Sequence, residues 1–141
     1  MNNYSNVLFK FFKNKKEVIF AYCFGSVVKG TDNKMSDLDI AIYLDEIKIP
    51  QSGSFGYQGE LILEIEQALQ RKVDLVILNK APHYLAHQII SEGILVFSRC
   101  NRKRADFHFR TVRDYLDFKP FIKVQNEYLK KRLSEGRFGG M

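Results

Sequence analysis

Cysteine is scarce in this chain. Its 141 residues include two, Cys23 and Cys100, too few for a disulfide framework and without the spacing of a zinc motif. That scarcity fits a reducing compartment, and a cytoplasmic location is expected. Cys23 stands within an apolar run and is expected to act as a buried small hydrophobe. Long hydrophobic stretches are also missing. No uninterrupted apolar run approaches the ~20 residues needed to cross a bilayer, and the opening MNNYSNVLFKFFKNKKE has no signal-peptide core. No membrane role is expected. The chain shows no internal repeat, no low-complexity segment and no Walker phosphate loop. The string GSVVKG, residues 25–30, falls short of G-x-x-x-x-G-K-[ST].

What is present suits one compact domain with a real core: 45% hydrophobic and 27% charged residues. The charge is unevenly placed. Residues 1–98 hold 10 basic and 11 acidic side chains, a net of −1, whereas residues 99–141 hold 12 and 5, a net of +7. The basic character belongs to the final segment.

The chemistry concentrates in residues 18–44. An apolar run, Val18 to Phe24, ends at Gly25-Ser26; Lys29-Gly30 follow; then Asp37 and Asp39 open a second apolar run, Ile40 to Leu44. Both runs read as strands from their length and β-branched content. On a strand, residues two apart share a face, so Asp37 and Asp39 point one way and Leu38 and Ile40 point the other way, into a core. Neighbouring carboxylates repel, and one tends to keep its proton unless a cation intervenes. Mg2+ takes oxygen ligands and fills its shell with substrate phosphates. Glycine at a strand end admits close approach of a ligand, Ser26 offers an N–H and a hydroxyl, and a helix starting there supplies an anion site. Lys29 adds positive charge one turn later.

The flanking chain reads as alternating elements. Residues 4–15 form an amphipathic helix with Val7, Leu8, Phe11 and Phe12 on one side and Ser5 as a candidate cap. Residues 45–59 read as a loop, and 60–70 as a helix with Leu61, Ile62, Ile65, Ala68 and Leu69 on one stripe. Residues 72–78 form a strand whose Asp74 sits where a structural strand would place an apolar residue. Residues 82–92 suit a helix opened by Pro82 and ended by Gly93, and 94–97 a last strand. His83 and His87 have the spacing of a zinc pair without a third ligand, so surface positions, or phosphate or partner contacts, are the preferred reading. Residues 101–135 look helical with an interruption near Pro120, their aromatic and apolar residues interleaved with arginine and lysine. Val112, Tyr115 and Leu116 are expected on one packing stripe. The tail either closes the core or meets another chain.

The stretch GSVVKG…SDLD, Gly25 to Asp39, resembles the signature of the DNA polymerase β-like nucleotidyltransferase superfamily. It is most similar to the minimal nucleotidyltransferases that serve as antitoxins to HEPN-type toxins. The resemblance implies an α+β fold, a small mixed sheet backed by helices, over residues 1–98, with 99–141 as a basic, aromatic helical tail that covers the core or binds a partner. It implies transfer of AMP from ATP with two Mg2+ ions, Mn2+ being a possible substitute. Gly25 and Ser26, with Lys29 and Gly30 beside them, would hold the triphosphate. Asp37 and Asp39 would bridge both metals, and Asp74 would complete the set, with Glu60 and Glu64 as alternatives for that third carboxylate. Many members carry arginine where this chain has Val27. The implied acceptor is a tyrosine of a HEPN-type toxin, in a homodimer or hetero-oligomer. Three other readings are open: a small-molecule nucleotidyltransferase of the aminoglycoside-modifying kind, a nucleic-acid binding module resting on the basic tail, and a non-catalytic interaction partner.

Overall fold

The computed structural model describes residues 2–30, 37–51, 53 and 56–134, with side chains described for those between 4 and 117. Seven consecutive, largely apolar residues, Val18–Phe24 (β1), form an inner strand of a four-stranded sheet and are buried on both faces, only Phe24 being partly exposed. The strand order is β3-β2-β1-β4, with Leu38–Leu44 as β2, Val73–Ile77 as β3 and Ile94–Ser98 as β4. β1 runs antiparallel to both β2 and β4, while β2 and β3 are parallel. This is the expected small mixed sheet.

Alternation along β2 divides the core into two layers. Leu38, Ile40, Ile42 and Leu44 pack with Leu8 and Phe12 of α1 (Asn2–Lys13) and with Leu61, Ile65 and Leu69 of α3 (Gly56–Leu69). On the other face, Phe20, Tyr22 and Ala41 pack with Ala86, Ile89 and Ile90 of α4 (His83–Glu92) and with Phe107 of α5 (Asn101–Ser134). Phe20 and Tyr43 stack at 5.1 Å between ring centres, and Phe107 lies 4.9 Å from Tyr43. Cys23 is fully buried, as expected of a small hydrophobe. No described helix is long and apolar enough to cross a membrane.

Several boundaries differ from the sequence reading. α1 begins at Asn2, so Ser5 lies inside the helix rather than capping it. α3 begins at Gly56, four residues ahead of the expected start, and Ala68 is exposed while Leu61, Ile65 and Leu69 are buried. The expected interruption near Pro120 is absent, since α5 is one helix through Ser134. Proline removes one ladder donor and crowds the preceding turn, which strains a helix without obliging the chain to turn away. His83 and His87 hold α4 against α5: His83 Nδ1 lies 3.7 Å from Asp114 Oδ2, and His87 stacks on Tyr115 at 3.8 Å.

Long-range polar contacts tie the layers together. Asn79 imitates a strand partner at the end of β2, accepting from Leu44 N–H at 2.8 Å and donating to Leu44 C=O at 2.9 Å. The buried Glu17 accepts from the Tyr57 hydroxyl at 2.7 Å. Arg99 donates to the carbonyls of Phe12, Lys13 and Lys15 at 2.9–3.2 Å and to Val18 C=O at 3.2 Å, while its guanidinium lies over the Phe97 ring. One side chain thus closes the open C-terminal carbonyls of α1 onto the sheet. We expect Arg99→Ala to destabilise the protein by about 2 kcal/mol, read as a lower urea midpoint at unchanged slope. A midpoint equal to the parent's would contradict this role.

Candidate active site

The site is assembled where three strands end. Phe24 at the end of β1 lies opposite Asp39 of β2, and Asp39 lies opposite Asp74 of β3. Residues in register on neighbouring strands present side chains to the same face, so Asp39 and Asp74 are adjacent on the face that carries α4 and α5. Their polar character is tolerated because the site is at the sheet's end: Asp39 is partly exposed and Asp74 exposed. Leu38 and Ile40 are buried in the opposite layer, as the alternation requires. Asp37 stands just before β2 and is exposed. The residues joining Gly30 to Asp37 lie outside the described part of the chain.

The phosphate-side residues meet the carboxylates through Gly25. Gly25 has φ +80° and ψ −156°, a region that side-chain-bearing residues rarely enter. A Cβ there would fall onto Asp39 Oδ2 and lie 3.0 Å from its Cγ. The glycine therefore does two things: it permits the turn out of β1, and it leaves room for the Asp39 carboxylate. Ser26–Lys29 form the single turn of α2, whose opening N–H groups receive no side-chain cap. Gly30 closes that turn in the left-handed conformation, φ 74°. Lys29, read in the sequence as an extra charge for phosphate, is paired here with Glu92 at the end of α4, Nζ to Oε2 3.2 Å. That acidic partner gave no signal in the sequence. Glu60, one alternative third carboxylate, accepts from Gly53 N–H, and Glu64 pairs with Lys15. Neither stands in register with Asp39, whereas Asp74 does.

The electrostatics express a surplus of negative charge. The Asp39 carboxyl is raised above its ordinary range, first by burial and then by the charges of Asp74 and Asp37. Burial, with a contribution from Asp39, also pushes the Cys23 thiol up to about 12, so the neighbouring cysteine is no thiolate nucleophile at neutral pH. Among the described residues no three His, Cys, Asp or Glu side chains are gathered closely enough to form a ready-made metal cage. The donor set nevertheless fits a hard divalent cation. It is all oxygen, it lies beside unblocked N–H groups, and its mutual repulsion is the quantity a cation would relieve.

Comparison with known proteins points the same way. The family described as Polymerase beta, Nucleotidyltransferase matches residues 6–102. The protein adenylyltransferase MntA of Shewanella oneidensis is 36% identical over 76 residues, covering 51% of this chain and 48% of that protein. The chain thus spans about half the length of this curated relative. A chain in the crystal structure of a toxin–antitoxin with AMP-PNP superposes with a TM-score of 0.73 at 23% identity, covering 89% of this chain and 98% of that one. A chain in the structure of a tri-AMPylated Shewanella oneidensis HEPN toxin in complex with MNT antitoxin superposes with a TM-score of 0.69 at 20% identity, covering 92% and 98%. These two structural likenesses speak for the fold.

Proposed function

This chain belongs to the polymerase beta nucleotidyltransferase family, and we propose that it moves AMP from ATP to a hydroxyl of a partner protein, a tyrosine of a HEPN-type toxin, and so acts as that toxin's antitoxin. The observation that carries the reading is the direct register of Asp39 with Asp74, with Gly25 shaped around the Asp39 carboxylate. The relatives add weight: one is named a protein adenylyltransferase, and one similar fold comes from a complex with an AMPylated HEPN toxin. A cytoplasmic setting accords with the two free cysteines.

In this reading Asp37, Asp39 and Asp74 would hold Mg2+, two ions in all, and the metal would supply positive charge against the phosphate charge that develops during transfer. Ser26 and the first N–H groups of α2 hold the β- and γ-phosphates, with Gly25 allowing the triphosphate close to the backbone. Lys29 and Gly30 close the same turn. The acceptor oxygen bonds to the α-phosphorus, the bond from the α-phosphorus to the bridging oxygen breaks, and pyrophosphate leaves. Asp74 takes the acceptor's proton in this reading. Residues 1–98 carry this chemistry, and the basic segment from 99 onward closes the core and meets the partner.

The test is to incubate the chain with a HEPN-type toxin, ATP and Mg2+, and to record the toxin's intact mass. We expect one or more added AMP units, located on tyrosine, and loss of toxicity in the modified partner. An unmodified partner that is still neutralised would make the chain a stoichiometric binder instead.

A further inference from the structure

Over residues 101–117, where its side chains are described, α5 carries two apolar faces, and one of them is used by the fold. Phe107 and Thr111 are buried, with the part-buried Asp114 one turn further on, against α4 and β1. Spaced four, three and four residues apart on the opposite side of the helix are Ala105, Phe109, Val112 and Leu116. Phe109 is 68% exposed and Leu116 56% exposed, and Val112 lies half-buried at the seam. This is the spacing by which one helix packs along another. An aromatic ring left that open in the first half of a long helix has no role in holding this core.

The surroundings of the stripe select its occupant. Arg104, Ala105, His108, Phe109 and Val112 line a shallow groove of about 460 Å³. Arg104, at its edge, adds a guanidinium to this border. Arg102 and Arg113 fall along the stripe's other border by the same helical spacing, and the segment as a whole carries 12 basic against 5 acidic residues. Two copies of such a surface would repel each other. We propose that the Ala105–Phe109–Val112–Leu116 stripe is the docking surface for an acidic, apolar-striped helix of the partner protein. α5 lies on the same face of the sheet as Asp39 and Asp74 but packs at the other end of β1 and β2, where Phe107 meets Phe20 and Tyr43, so a partner seated there is held away from the carboxylates and leaves them open to its acceptor. The inference rests on the reading of the chain as a protein-modifying enzyme and names the surface that recognises the acceptor protein.

The experiment uses the full chain and the same HEPN-type toxin, with binding followed by titration calorimetry. Phe109→Glu with Leu116→Glu should weaken binding roughly 30-fold and raise the KM for the partner by a similar factor, with Mg-ATP binding unchanged. Both positions are exposed on a helix that glutamate favours, and an unchanged melting temperature checks the fold. Arg102→Glu should weaken binding less and flatten its dependence on salt between ~50 and ~300 mM. Undiminished binding by the double variant, with the parent still modifying the partner, overturns the docking surface and leaves the enzymatic reading standing. A parent that neither binds nor modifies the partner overturns both. Self-association of the parent on sedimentation, lost in the double variant, would instead assign the stripe to a second copy.

Discussion

Asp39→Asn is expected to lower AMP transfer by roughly a thousandfold while making the metal-free protein more stable at neutral pH. The two effects have one cause. Asp39 is crowded by Asp74 and Asp37 and partly desolvated, and its carboxyl is raised above the ordinary value of 3.8. A carboxyl whose folded value exceeds its unfolded value binds more protons in the folded state. Stability therefore falls as pH rises from the unfolded value through the folded one, and the cost persists above that window. Asparagine keeps the shape and removes the charge, so the cost disappears along with the proposed metal ligand. In thermal melts the parent should gain stability on addition of Mg2+ or Mn2+, and the variant should gain little. A variant that retains transfer within a few-fold of the parent would remove Asp39 from the chemistry.

Gly25→Ala is the second large effect. It places a methyl group where the Asp39 carboxylate sits and forces alanine to φ +80°. The backbone strain alone costs roughly 1–3 kcal/mol, and relief of the clash requires Asp39 to move. Transfer should fall by about a hundredfold or more, since small misplacements of a reacting group are costly. Gly30→Ala provides the comparison. Gly30 is also left-handed, but a Cβ there meets nothing within 4 Å, so its denaturation midpoint should drop by less. Equal losses of stability at the two positions would show that the space beside Asp39 is not what demands glycine at 25.

The elements around the site were legible because each depends on local pattern. The apolar runs ending at Phe24 and Leu44 mark β1 and β2, and a carboxylate at position 74 interrupts an otherwise apolar strand. That Asp74 stands opposite Asp39 is a tertiary fact: spacing alone allows it, and the parallel pairing of β2 with β3 creates it. What escaped the sequence depends on partners far away along the chain. Arg99 reaches back to carbonyls more than 80 positions earlier, and Asn79 mimics a strand at Leu44. Nothing near either residue announces this. Leu116 was expected to pack beside Val112 and Tyr115, yet it is exposed. α5 is apolar on two sides, so periodicity identifies the helix without saying which face turns inward. Lys29 illustrates a different limit, since its salt bridge to Glu92 arises only when α4 returns to the end of the sheet that holds α2.

Nucleotidyl transfer to a protein at these strand ends is decided by incubating the chain, Mg2+ and a HEPN-type toxin with ATP labelled on either the α- or the γ-phosphate. The toxin should become labelled from α-labelled ATP, γ-label should appear only in released pyrophosphate, and Asp39→Asn should abolish both. Label reaching the toxin from the γ-phosphate, or α-label transferred equally well by the Asp39→Asn variant, would contradict nucleotidyl transfer at these strand ends.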